Sequence, residues 1–346
     1  MNLDRPERYG AVDRQDALGD IEASADQWAH ARQLALGALD LRAVDAVVVA
    51  GMGGSGLTGD IVAALAADRL EIPVVVHKGY GLPGFVGRRT LVIAVSYSGR
   101  TEETRSAVEA ALRRGARLFA VSGGGDIAAR CDQAGVPRVA IPALAGRQPR
   151  HSLGYLAVPT LVALGLDDGL DEAIAVQHAL GAELHRDVPT ASNPAKLLGC
   201  RLADGGVPVL WGARGLGAVA AYRLKCQLNE NAKLPALWAE LPELTHNEVV
   251  AWQEHTPLTG ASGLALLRDP EGEHPREQAR FTLVERLIAE RLAWRQEITA
   301  RGRSPLARLA SLLLVADLAS VYAALRLDRD PTPIPPIDRI KAEFPR

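Results

Sequence analysis

Short runs of unbroken apolar residues recur along the chain, each followed by glycine or hydroxyl residues and then by a helical pattern. The runs at 44–50, 72–77, 90–96, 116–122 and 136–141 have the continuity of parallel strands, which crossover helices cover on both faces. Helical patterns separate them, such as the one over 101–114, and a longer helix is predicted over 15–39, ahead of the first strand. Such alternation predicts a doubly wound parallel α/β sheet. From about Gly154 the pattern turns helical and connecting, through 170–186, and the strand–glycine–helix theme then restarts at Val207 with VPVLWGARGLGAVAAYRLK. Further strands are predicted near 235–240 and 263–267, followed by long helices over 276–301 and 305–327. The theme occurs twice. The expected organisation is an N-terminal helix with a first α/β domain over 1–155, a helical linker over 156–190, and a second α/β domain with C-terminal helices over 191–346.

Length supports this division, since 346 residues exceed the size at which a single core stops growing. The 39 basic and 41 acidic residues are interspersed and leave a net charge of -2, which offers no electrostatic footprint for nucleic acid or an anionic membrane. Neither is an expected partner. Cys131, Cys200 and Cys226 are far apart and lack a CxxC, so neither a disulfide framework nor a zinc site is expected, and a reducing cytoplasm fits. The opening MNLDRPERYG lacks the apolar stretch of a secretory signal. The most apolar segment, 309–325, is shorter than the roughly 20 residues that span a bilayer and carries Asp317 in its middle, so it reads as a buried or interface helix.

Gly51, Gly53 and Gly56 satisfy G-x-G-x-x-G between a strand and a helix, the context of a dinucleotide-binding turn. That role also calls for an acidic residue at the end of the next strand, which here ends in His77 and Lys78. The turn serves equally as a tight structural turn or as a cradle whose backbone N–H groups meet an anion. Ser96, Ser98 and Thr101 cluster with Gly99 where another strand opens into a helix. Hydroxyl donors and the unpaired N–H groups of a first helical turn suit a phosphate, at the strand end where ligands of parallel sheets bind. Ordinary N-capping by Ser and Thr competes with this reading.

At this point the sequence resembles the sugar isomerase (SIS) superfamily, and more closely the bifunctional phosphoglucose/phosphomannose isomerases that carry two SIS units. GMGGSGLTGD at 51–60, SYSGRTEET at 96–104, GRQPRHSLGY at 146–155, LNENAK at 228–233 and LPELTHNEVVAW at 241–252 carry the likeness, with a weaker match at DPTPIPPIDRIK ending at Lys341. The turn reads GSGLTG instead of GSAIGG, and Arg100 stands where the family often has Asn. The resemblance implies two tandem SIS-type doubly wound domains and a metal-independent, cofactor-free isomerase. It would interconvert glucose 6-phosphate or mannose 6-phosphate with fructose 6-phosphate through a cis-enediolate. It further implies that Gly54 and Ser55 bind substrate, that Ser96, Ser98 and Thr101 hold its phosphate, and that Arg150 faces the reacting carbons. Glu230 would be the base, and His246 and Lys341 would assist ring opening. A cytoplasmic homodimer with shared active sites is implied as well, with the helix at 309–325 a candidate contact.

Bland readings stand beside these roles. Glu230 could be a solvated residue near a helix end, His246 a capping or buried histidine, Arg150 an ion-pair partner between helices and Lys341 a mobile tail lysine. A non-catalytic sugar-phosphate sensor is the competing function. An aminating isomerase would need an N-terminal nucleophilic cysteine, but the first cysteine is Cys131. No two of the eight histidines show H-x-H or H-E-x-x-H spacing, which disfavours a metal-dependent mannose-phosphate isomerase.

Overall fold

The structure, a computed structural model, describes residues 1–143 and 147–343. The elements run α1 (Ala17–Glu22), α2 (Ser24–Leu34), β1 (Ala46–Ala50), α3 (Gly53–Ala66), β2 (Val74–His77), β3 (Thr90–Ser96), α4 (Glu102–Arg114), β4 (Arg117–Ser122), α5 (Gly125–Gln133), β5 (Arg138–Ala140), α6 (Leu153–Ala163) and α7 (Leu170–Leu184). They continue with α8 (Pro194–Asp204), β6 (Pro208–Ala213), α9 (Leu216–Gln227), β7 (Leu237–Leu241), α10 (Pro257–Ala261), β8 (Gly263–Arg268), α11 (Pro275–Ile288), β9 (Trp294–Thr299), α12 (Pro305–Arg326) and α13 (Pro335–Glu343).

Two compact units result. One holds Ala23–Ala179 with Arg301–Ser311, and the other holds Met1–Glu22, Leu180–Ala300 and the chain from Leu312 onward. In the first-sheet unit the order is β2-β1-β3-β4-β5, with every pairing parallel. β1 and β3 are buried at every position, as their uninterrupted apolar runs predict. The chain leaves β1 toward β2 on one side and returns to β3 on the other, which opens a crevice at the carboxyl ends of β1 and β3. In the second-sheet unit the order is β7-β6-β8-β9, again all parallel. The two parallel α/β sheets match the expected fold class.

Residues 1–22 fold with the second-sheet unit. Leu3, Tyr9, Leu18 and Ile21 share a core with Leu224 and Tyr322, and Lys196 Nζ donates to the carbonyls of Leu3 and Arg186 at 2.8 and 2.7 Å. The helix predicted over 15–39 is therefore two, α1 and α2, broken at Ala23 where the chain passes from one unit to the other. A second correction concerns 276–301, predicted as one helix. α11 stops at Ile288, a short 3₁₀ turn follows, and β9 forms the sheet edge. β9 exposes Arg295 and Glu297 and buries Ile298, and that charged edge face obscures the strand in the sequence. Trp294 fills the space that a Cβ on Gly263 would need, approaching within 1.9 Å of its position.

α12 is long and apolar enough to cross a membrane, but its apolar window is wholly buried in the chain, so it offers no face for a dimer contact. Asp317 within it accepts two hydrogen bonds from Arg223, at 2.7 and 2.9 Å.

In the first-sheet unit, the backbone N–H groups of Arg303 and Ser304 donate to Glu172 at 2.7 and 2.9 Å and hold its carboxyl down to about 2 from 4.5. A depressed carboxyl contributes stability that is present above its unfolded value and lost as pH falls through the folded one. Glu172→Gln is therefore expected to lose less stability than the parent between pH 5 and pH 2, measured by denaturant melts across that window. Parallel losses would refute the assignment.

Candidate active site

In the first-sheet unit, β1 delivers Gly51 into the turn that starts α3. A Cβ at Gly51 would lie 2.9 Å from the carbonyl oxygens of Ser55 and Val95, so only glycine lets the turn close against β3. Ser55 is buried, and its Oγ accepts from the Tyr97 N–H at 3.2 Å, joining the glycine turn to the hydroxyl loop. Gly54 lies against the next element: a Cβ there would meet the Arg150 backbone and the Pro149 carbonyl at 3.4 Å. Arg150 sits on the 3₁₀ turn Pro149–His151, with 2% of its surface exposed, and Nη1 donates to Gln148 Oε1 at 3.3 Å. Gln27 fixes that turn, since its Nε2 donates to the His151 carbonyl at 2.9 Å and its Oε1 accepts from the Gly154 N–H at 2.6 Å. Gly146, which opens the segment 146–155, lies outside the described residues.

The hydroxyl loop follows β3. Ser96 is fully buried, and its Oγ lies 3.1 Å from Thr101 Oγ1. Thr101 occupies the N-cap of α4, yet its side chain caps no backbone N–H, so ordinary capping does not account for it. The first turn of α4 keeps its orphan donors and its positive end for an anion. Ser98 is exposed and accepts from the Arg100 N–H at 3.2 Å. The structure thus gathers Gly54, Ser55 and Arg150 beside the loop of Ser96, Ser98 and Thr101, at the crevice of β1 and β3.

A third loop, overlooked in the sequence, supports this one. Ser122 ends β4 fully buried, and Gly123, Gly124 and Gly125 lead into α5. Gly99 has φ +65°, and a Cβ there would fall 1.6 Å from the Gly124 carbonyl and 2.7 Å from Ser122 Oγ. The SGGG run after a strand was the available signal. Gly99→Ala is expected to push the two loops apart and destabilise the fold by about 1–3 kcal/mol, the cost of a side chain at a positive φ with no room for its Cβ. Denaturant melts measure it, and parental stability would refute the close packing of the two loops.

The dinucleotide alternative finds no acid at the end of β2, where Lys78 pairs with Asp60. Burial raises the Asp60 carboxyl, with the Lys78 ammonium opposing.

Glu230, His246 and Lys341 stand on separate elements of the second-sheet unit. Glu230 lies half-buried in a π-helical turn, Leu228–Ala232, that continues α9. Turns of this kind are rare and concentrate at functional sites. His246 ends the 3₁₀ turn Glu243–His246 and is exposed, and its ring makes no hydrogen bond among the described residues. The adjacent pair does not orient its ring: Asn247 donates to Glu243 and accepts from the Glu248 N–H, while Glu248 accepts from Trp211 Nε1 at 2.9 Å. Lys341 is exposed on α13, a helix with no buried residue. Among the described residues, no three His, Cys, Asp or Glu side chains gather to hold a metal ion.

Residues 191–344 match the family model described as the bacterial phospho-glucose isomerase C-terminal SIS domain, and residues 40–134 match the SIS domain. The chain is 37% identical over 305 residues to the bifunctional phosphoglucose/phosphomannose isomerase of Caldicellulosiruptor bescii, covering 86% of this chain and 89% of that one. It is 34% identical over 309 residues to the enzyme of the same name from Aquifex aeolicus, covering 89% and 92%. Among solved structures, the C-terminal domain of glucosamine-fructose-6-phosphate aminotransferase from Francisella tularensis shares the fold, with a TM-score of 0.69, 13% identity, and 92% and 98% of the two chains covered. With a third or more of its residues shared with such relatives over most of its length, and two parallel-sheet units of SIS type, the chain belongs to the bifunctional phosphoglucose/phosphomannose isomerase family.

Proposed function

We propose that this protein interconverts glucose 6-phosphate and mannose 6-phosphate with fructose 6-phosphate, without metal or cofactor, through a cis-enediolate. The hydroxyls of Ser96, Ser98 and Thr101 hold the phosphate, together with the N–H groups at the start of α4, and Gly54 and Ser55 border the sugar. His246 and Lys341 assist opening of the ring. Glu230 takes the proton from C2 of the open aldose as the electrons move to the C1 oxygen, the hydroxyl proton on O2 passes to O1, and the carboxylic acid returns its proton to C1 as the C2 carbonyl of the ketose forms. Proton transfer by a placed carboxylate contributes about 10²- to 10⁴-fold. Arg150 stabilises the enediolate oxygen as a fixed cation without giving up a proton.

The placement of Glu230 supports catalysis over mere binding: a half-buried carboxylate on a π turn is an unusual backbone to maintain for a solvated surface residue. The proposal extends to a cytoplasmic homodimer with shared active sites, and the exposed, unbonded ring of His246 is compatible with a role at a partner subunit. Purified protein with fructose 6-phosphate and EDTA is expected to form both aldose phosphates, followed by separate coupled assays. Binding of the ester without turnover would make the protein a sensor and overturn the proposal.

A further inference from the structure

The side chains on either side of Glu230 are committed to the fold, and those of Asn231 and Gln227 are tied to α12. Asn231, fully buried, donates from Nδ2 to Ser320 Oγ at 2.9 Å, and Ser320 Oγ donates in turn to the Asp317 carbonyl at 2.7 Å. Gln227 Nε2 donates to the Asp317 carboxylate at 2.8 Å, beside the two bonds from Arg223. Asp317 and Ser320 are one turn apart on α12, and they grip positions 227 and 231, which bracket Glu230. The exit from the π turn is closed as well. Asn229 Nδ2 donates to the Leu234 carbonyl at 2.7 Å, Lys233 adopts φ +53°, and Arg329 Nη1 donates to the carbonyls of Ala232 and Lys233 at 2.8 and 3.1 Å.

Two packed helices do not need a buried Asn–Ser pair to adhere. Apolar residues of similar volume would serve packing without the cost of burying amide and hydroxyl groups. A hydrogen bond adds direction, which packing lacks. Relaxation of the π turn to α geometry would change the register of every side chain beyond it, and the bond from Asn231 to Ser320 holds the turn against that change.

We propose that Asn231 and Ser320 are positioning residues, whose buried hydrogen bond sets the π turn and so aims the Glu230 carboxylate for proton transfer. The inference rests on Glu230 as the base. Displacement of a reacting group by about 1 Å costs on the order of 10²-fold in rate.

The test compares Asn231→Ala, Ser320→Ala and the double variant, with Glu230→Gln as reference, by steady-state isomerisation and thermal melting. Each single variant is expected to lower kcat about 10- to 100-fold with KM within about twofold of the parent. The double variant is expected to fall no further, because both changes remove one interaction. Glucose 6-phosphate carrying deuterium at C2 adds a ratio that does not depend on how much protein is folded: a misaimed base loses more label to water, so less reaches C1 of the product. If Asn231→Ala folds poorly, the smaller Ser320→Ala change decides. A role confined to stability would lower the melting temperature while leaving kcat per folded chain and label transfer at parental values. That outcome, with Glu230→Gln inactive, overturns the positioning role alone, whereas an active Glu230→Gln overturns the base assignment and this inference with it.

Discussion

Glu230→Gln is expected to lower kcat for isomerisation by about 10²- to 10⁴-fold while KM changes little, since the amide keeps the size of the side chain and cannot take up the proton. The π turn should survive the change. Its surroundings are held by the bonds from Asn229 to Leu234, from Asn231 to Ser320 and from Arg329 to Ala232, in which the Glu230 side chain takes no part. A coupled assay of both aldose products, run beside binding of fructose 6-phosphate to the same variant, separates loss of chemistry from loss of binding. Retention of more than about a tenth of kcat would exclude Glu230 as the base, because a general base contributes at least about 10²-fold.

Arg150→Lys should produce the next largest effect. Arg150 is buried on a turn fixed by Gln27, and its planar fork presents donors in a set geometry, whereas lysine supplies a compact, strongly hydrated point charge on a flexible stem. Preorganised donors aimed at a developing oxyanion are worth about 10²- to 10³-fold in kcat each, so a loss of that size is expected with KM nearly unchanged. A structural ion-pair role predicts instead a lower melting temperature with kcat preserved. Kinetics and melting on the same preparation distinguish the two.

Much of the fold was legible because parallel strands buried on both faces must be apolar without interruption. β3 falls at 90–96, the range its apolar run predicts, and β1 lies within 44–50. β9 was not legible, since an edge strand with a solvent face carries Arg295 and Glu297 and mimics the charged side of a helix. Nor was the break at Ala23, because α1 and α2 are similar locally and differ only in the unit each one joins. The loop Ser122–Gly125 shows the same limit. Its glycines look like turn residues in the sequence, and their purpose emerges only from the approach of the Gly124 carbonyl to Gly99.

By itself, the sequence determined the class of fold and the hydroxyl loop after β3, because each rests on residue types within one strand–turn–helix segment, whereas the roles proposed for Glu230, Arg150, His246 and Lys341 rest on the family resemblance. The tertiary structure alone decided that α12 is a core helix, that Gly54 lies against Arg150, and that the segment bearing Glu230 is a π turn tied to Ser320. The physical reason is distance along the chain. Asn231 and Ser320 are 89 residues apart, and the direction in which a carboxylate points is set by such remote hydrogen bonds, which leave no periodic trace in the residues around it.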